Sequence, residues 1–355
     1  MKYTYLIGNG LDLSIGLKTS FIDFFESYCQ IGDDNNEILT RFKEEINENV
    51  LLWSDFECQM GRFTDQVKPN GKLSFSDYSY CIEDFRNALV LYLLNEEQKI
   101  DSNFVNKCDR VSGRAIEYPF QFMRKGSRDR LEKYVSVYVS ETIEYNFIVF
   151  NYTHTFENFL SPYGYNVVNS HDDELRHWTE QDNEDSVVID KIGKVVHVHG
   201  ELGEAILLGV NDNKQVSNTT LFNKGEFKYN YVKPIANKML GEQQNQEAQK
   251  IISESDIIFI YGMSLGESDK IWWEQIMKWL LENAEREHFL IIFWYDKFMS
   301  RNSPLDNIKC QNKIVDRMAS FCQDIEPKTK EYISNHIFTS LNSDIFKLDF
   351  DPFTK

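Results

Sequence analysis

At 355 residues and a net charge of −18, the chain can bury a large core in one big domain or two, and its acidic excess repels phosphate backbones and argues against a nucleic-acid partner. No apolar run approaches the roughly 20 residues of a spanning helix, and no secretory signal precedes the first strand pattern, so a cytoplasmic protein without a membrane partner is expected. Six dispersed cysteines, none in a Cys-x-x-Cys pair, exclude a paired-cysteine zinc module and read as reduced thiols.

The first predicted strand, Tyr3 to Ile7, ends in Gly8-Asn9-Gly10-Leu11-Asp12. Ser20 and Asp23 resemble a capping box, and Phe21, Phe24, Phe25 and Tyr28 follow at helical spacing. Residues 37–139 read as mostly helical, an insertion longer than an ordinary crossover. It suits a lid, a partner surface or a small subdomain. Within it Trp53-Ser54-Asp55-Phe56-Glu57 stands out, and Asp55 and Glu57 read as exposed carboxylates. Arg110, Arg114, Arg124, Lys125, Arg128, Arg130 and Lys133 read as a solvated helix face.

Strand patterns return at Asn146 to Phe150, Lys194 to Val198 and Ala205 to Val210, with the acidic stretch His171 to Asp185 as a surface loop. A helix over Gln243 to Ile252 feeds a strand at Asp256 to Tyr261. An amphipathic helix over Asp269 to Leu281 feeds a strand at Phe289 to Trp294, and Ile345 to Phe350 reads as an edge strand. The alternation predicts an α/β fold with a doubly wound, mostly parallel, Rossmann-like sheet. Its core is 1–36 with 140–355, and the helical insertion 37–139 follows the first strand.

In such a sheet, ligands bind at the carboxyl ends of the strands. Four predicted strands end there in polar signatures. Gly8-Asn9-Gly10 between strand and helix lets backbone N–H groups approach a phosphate, although Leu13 holds the place of the third glycine of the dinucleotide fingerprint. The Asn151 carboxamide suits a ribose hydroxyl or an amide, and suits a helix cap equally well. His197 and His199 alternate on one strand and so share a face. Only Glu201 offers a further ligand nearby, so no metal is expected. His199 beside Gly200 is placed as a general base, and His197 as a structural residue. Gly262 and Ser264 end the fourth run. Ser264 can meet a sugar hydroxyl. Asp269 can do the same or sit in a helix first turn, where negative charge is favoured. No Gly-x-Ser-x-Gly elbow or P-loop lysine motif is present.

Taken together these blocks resemble a known family. Gly8 to Phe21, Trp53 to Glu57, Phe150 to Glu157, His197 to Gly200 and Tyr261 to Asp269 resemble, in order, the signatures of AbiH-type bacteriophage abortive-infection proteins. They also look like a distant sirtuin-like NAD-binding core. That likeness implies a glycine loop at Gly8 and Gly10, a catalytic asparagine at Asn151, a base at His199 and a ribose-side element at Gly262 and Ser264. Asn9 replaces a usual small residue, Thr153-His154 replaces the usual aspartate, and the zinc-binding cysteine pairs are absent. The implied function is phage defence by an NAD glycohydrolase, with NAD as substrate or ligand and Asn9, Asp12, Gly200 and Asp269 completing the cleft. Two other readings stay open: a non-catalytic NAD-sensing or partner-binding module, and a nuclease using Asp12, Asp55 and Glu57. A homo-oligomer and a phage or host protein as trigger are open partners.

Overall fold

A computed structural model describes residues 1–30, 36–53, 55–67, 73–163, 174–176, 189–240, 243–282, 285–322 and 325–348. Among them seven strands form one sheet: β1 (Lys2–Ile7), β2 (Glu144–Val149), β3 (Glu174–Arg176), β4 (Ile189–His197), β5 (Ile257–Tyr261), β6 (Phe289–Trp294) and β7 (Ile337–Leu341). Their spatial order is β3-β4-β2-β1-β5-β6-β7. β3 runs antiparallel to β4, and the other six strands are all parallel. From β1 the chain winds outward through β2 to β4. It then returns to the other side of β1 for β5 and winds outward again through β6 to β7. That reversal is the doubly wound arrangement, and it places a ligand crevice outside the carboxyl ends of β1 and its neighbours.

Helices cover both faces of the sheet, so both faces of its strands are apolar. In β1, Tyr3, Tyr5 and Ile7 point to one side with Tyr145, Phe147 and Phe259. Leu6 points to the other, with Ile148, Ile258, Trp273 and Ile276. Tyr5 lies between Phe147 and Phe259, its ring 5.6 and 4.6 Å from theirs, and its hydroxyl donates to the Ile116 carbonyl at 2.7 Å. Burying so large a ring is favourable only because that one polar atom is satisfied.

The expected helical region lies between β1 and β2. It includes helices Glu37–Glu48, Phe56–Phe63, Phe75–Glu97, Ser102–Ser112 and Lys125–Val135. A capping box of Ser74 and Asp77 starts the longest of them, and Ser20 caps the helix Phe21–Tyr28 as its sequence implied. Phe24, Phe25, Phe42, Phe56 and Phe85 form an aromatic cluster that also takes in Leu208, Val210, Phe227 and Tyr231 from beyond β4. Phe56 stacks on Phe85 at 3.7 Å.

Three expectations for the strands need correction. Ala205 to Val210 is not a strand. Ile206, Leu208 and Val210 are buried in the aromatic cluster, with an isolated bridge from Val210 to Val232, so the apolar run reflects burial in an irregular segment. Ile345 and Phe346 are buried in a turn, and the last strand is instead Ile337–Leu341. Within the acidic stretch, Glu174–Arg176 pairs with β4, and the rest of His171 to Asp185 lies outside the described residues.

The loops after β1 and β5 touch backbone to backbone. A Cβ on Gly10 would stand 2.4 Å from the Gly262 Cα, and one on Gly262, where φ is +73°, would stand 2.7 Å from the Gly8 carbonyl oxygen. Gly203 also has positive φ, +94°, with nothing within 4 Å. Gly203→Ala is therefore expected to cost only the left-handed backbone penalty, about 1–2 kcal/mol. Gly262→Ala must also part the two loops and is expected to cost about 3 kcal/mol or more. Urea unfolding of both variants measures the difference, and equal losses would show that the loop contact contributes nothing.

Candidate functional site

The close glycine contact fixes how the first loop presents itself. The Gly8 N–H donates to the Tyr261 carbonyl and the Gly10 N–H to the Gly262 carbonyl, both at 2.8 Å. These two amides, expected to face a phosphate, thus extend the β1–β5 pairing. Asn9 is also occupied: its Nδ2 donates to the Thr19 carbonyl at 3.0 Å and its Oδ1 accepts from the Thr19 hydroxyl at 2.6 Å.

Asp12 sits on the short helix Gly10–Ser14 and is fully buried. Asn151 Nδ2 donates to its Oδ1 at 3.0 Å, and the Thr153 hydroxyl donates to its Oδ2 at 2.7 Å. Burial pushes the Asp12 carboxyl up to about 6, against hydrogen bonds from Thr153, Thr155 and Asn151 that pull it down. With Nδ2 committed to Asp12, the buried Oδ1 of Asn151 has no hydrogen-bond partner. Asn151 caps no helix, because the next one, Glu157–Leu160, starts after Phe156.

His197 and His199 lead to different partners. His197, at the end of β4, donates from Nδ1 to the Asn151 carbonyl at 3.0 Å and meets Glu157 Oε1 through Nε2 at 2.6 Å. Burial pulls its pKa down, but Glu157 and Glu201 outweigh that and raise it. His199 lies in the turn beyond β4, where Gly200 adopts φ +79° and a Cβ would meet the Ala205 carbonyl oxygen at 2.1 Å.

Around His199 stands a buried charged network. Its Nδ1 is 3.3 Å from the Lys233 ammonium and 3.8 Å from Glu57 Oε1. Its Nε2 is 3.3 Å from Asp269 Oδ1, close enough for an ion pair but not aligned as a hydrogen bond. Lys233 in turn binds Glu57 Oε2 at 2.6 Å. Burial and Lys233 press the His199 pKa down, while Asp269 and Glu57 press it up and prevail. Burial raises Glu57 and Asp269, yet Lys233 and His199 hold both below the ordinary carboxylate range. The ring has company in either protonation state. When neutral, its Nδ1 accepts from Lys233; when protonated, it faces Glu57. When the proton leaves, Glu57 keeps Lys233 as its partner and Asp269 loses its cation, so the position of the proton sets the charge of the network.

Glu57 was expected at the surface and is buried. The chain turns it inward because Trp53 and Phe56 anchor that segment in the aromatic cluster and Asp55 caps the helix Phe56–Phe63 by accepting from the Cys58 N–H. Lys233 was not singled out at all. Its flanks, Tyr231-Val232 before it and Pro234-Ile235-Ala236 after it, were the available signal: a lone lysine in an apolar stretch is buried only with a partner. Asp269 stands at the amino end of the helix Lys270–Leu281, but its side chain makes no capping hydrogen bond there and turns to His199. Ser264 is exposed on the same loop.

That loop is held from several sides. Leu265 adopts a positive φ of +53°, and its carbonyl accepts from Arg317 Nε and Nη2 at 3.0 and 2.9 Å. Trp273 Nε1 donates to the Gly266 carbonyl at 2.9 Å, and Asn211 donates to the Ser268 carbonyl. Asp269 follows directly.

Asp12, Asn151, His199, Glu57 and Lys233 are all buried, and they come from the exits of β1, β2 and β4, the helical region and the segment before β5. Among the described residues no helix is long and apolar enough to cross a membrane. No curated protein matches the chain. A family model described as bacteriophage abortive infection AbiH matches residues 4–291, most of the 355-residue sequence. The chain belongs to the AbiH bacteriophage abortive-infection family.

Proposed function

We propose that this abortive-infection protein binds NAD or a closely related dinucleotide at the carboxyl ends of β1, β2, β4 and β5, and hydrolyses its nicotinamide–ribose bond. The observation that carries this reading is the Asp12–Asn151 pair. Asp12 fixes the carboxamide and leaves a buried, unpaired Oδ1 near the strand-order reversal where doubly wound folds bind dinucleotides. The resemblance of the same segments to a sirtuin-like core supports it.

In this mechanism Asn151 Oδ1 accepts from a ribose hydroxyl. The glycosidic bond breaks with its electron pair going to the nicotinamide ring nitrogen, and that ring leaves neutral. Positive charge builds on the ribose, offset by the nearby carboxylates of Glu57 and Asp269. Water adds through oxygen to the anomeric carbon and releases a proton to the neutral form of His199. Such a base contributes on the order of 10²–10⁴-fold. Gly8, Gly10 and Gly262 shape the floor by close packing, Asn9 holds the first loop, Gly200 sets the turn carrying His199, and exposed Ser264 is left to meet a ribose or phosphate oxygen.

The burial of Asp12, Asn151, His199, Glu57 and Lys233 favours one alternative, a module that binds the nucleotide and signals through the helical region without turnover. The nuclease reading loses its support, since Asp12, Asp55 and Glu57 go to separate partners.

Purified protein incubated with NAD, with and without extract of phage-infected cells, is expected to release nicotinamide. Asn151→Ala and His199→Ala should each lower the rate about 100-fold or more while keeping the wild-type circular dichroism. Calorimetric NAD binding without nicotinamide release would select the sensing module, and full activity in both variants would refute the assignment.

Asp12 gives a second test. Its folded-state pKa is raised from 3.8 to about 6. Folding therefore takes up a proton between those values, and the associated stability, present below the lower one, is lost as pH rises through the upper. The loss is on the order of 3 kcal/mol. Asp12→Asn removes the titration. Its unfolding free energy relative to wild type should rise by about that amount between pH 4 and pH 7, and parallel curves would show that Asp12 does not titrate this way.

A further inference from the structure

We propose that Glu157, His197 and Glu201, with His154 as a fourth donor, form a site for one divalent transition-metal ion of the zinc class. The sequence set metal aside because His197 and His199 had only Glu201 nearby. The fold separates those two histidines and brings two other donors to His197 from the loop after β2.

The donor atoms converge. His197 Nε2 lies 2.6 Å from Glu157 Oε1 and 3.6 Å from Glu201 Oε2. His154 Nε2 lies 3.4 Å from that same Glu201 oxygen. One atom each from Glu157, His197 and Glu201 falls within 4.8 Å of the others. A tetrahedral ion with bonds of roughly 2.1 Å spaces its ligand atoms about 3.4 Å apart, so Glu157 has to draw back from His197 by less than about 1 Å, and His154, which stands outside that three-residue group, has to close on it.

Two further observations point to a ligand rather than to a simple ion pair. Both histidines have Nδ1 on an oxygen, His197 on the Asn151 carbonyl at 3.0 Å and His154 on Glu97 at 3.3 Å. That is the outer-shell arrangement that orients a metal-binding imidazole and aims its Nε2 at the ion. Secondly, Glu157 Oε2 is buried without a hydrogen-bond partner, a costly state that an ion at this point would relieve. A proton on His197 satisfies Oε1 and leaves Oε2 as it is.

Charge and access agree. Two carboxylates and two neutral imidazoles balance a doubly charged cation, and this mixed oxygen–nitrogen set suits zinc-class ions. The side chains of Glu157 and His197 are each 8 % exposed, whereas Glu201 and His154 are 28 % and 26 % exposed. The ion can therefore enter from solvent on the Glu201 side. Because His197 also holds the Asn151 carbonyl, a bound ion would brace the loop that carries Asn151.

The test uses the full chain, stripped with a chelator and titrated calorimetrically with zinc chloride. One equivalent is expected to bind, with cobalt(II) in its place giving the visible absorption of a tetrahedral nitrogen–oxygen site. Glu201→Gln and the double variant Glu201→Gln with His154→Ala, both at half-exposed positions, should weaken zinc binding about tenfold or more with circular dichroism unchanged. No saturable zinc binding by the wild type, or wild-type affinity in the folded double variant, would overturn the proposal. Neither readout involves NAD, so the result stands apart from the hydrolase assignment.

Discussion

The buried ion pair between Glu57 and Lys233 ties two distant segments of the chain together beside His199. Its partners come from the helical region before β2 and from the segment between β4 and β5. Neither could be buried alone, because removing one side of such a pair typically costs 3–5 kcal/mol. Lys233 also stands at the amino end of the helix Lys233–Leu240, where positive charge is disfavoured, so Glu57 compensates for two penalties at once. The pair delivers a carboxylate and an ammonium to the same ring nitrogen of His199, Nδ1. With Asp269 on the far edge of the ring, the imidazole is surrounded by charges whose sum comes into balance when it carries a proton. The helical region is therefore part of the site, since one of its side chains completes the environment of His199.

Much of the fold was legible because strongly periodic elements leave strong marks. The buried runs of β1, β2, β5 and β6, and the amphipathic helix after β5, could be read from apolar spacing alone. The alternation of strand and helix then implied the doubly wound sheet. The failures have two causes. Ile206, Leu208 and Val210 look like a strand because Ala205 to Val210 is a short unbroken apolar run, but burial in an aromatic cluster produces the same pattern without pairing. β7, Ile-Phe-Thr-Ser-Leu, carries two polar residues at a sheet edge and made too weak a signal.

For the site, the strand ends marked segments that the fold brings together, since Asp12 does meet Asn151 and His199 does meet Asp269. Partners supplied by other segments were not readable. Glu57 looked like any helix-face glutamate, and Lys233 like any lysine, because the neighbour that makes each buried is 176 residues away. Asn9 shows the opposite error: its place in a glycine turn suggested ligand contact, and Thr19, ten residues on, already satisfies it.

The clamp on Leu265 bears on where this protein can be cut. Arg317 belongs to the helix Pro304–Ala319, past residue 291, where the family match stops. It nevertheless holds the left-handed backbone immediately ahead of Asp269. A fragment trimmed to the shared family boundary would sever β6 midway, discard β7, and release the loop that aims Asp269 at His199. The segment past residue 291, under a fifth of the chain, thus acts as a buttress for a site located elsewhere, and any expression strategy that treats it as dispensable would yield a protein with its family signature intact and its site unmoored.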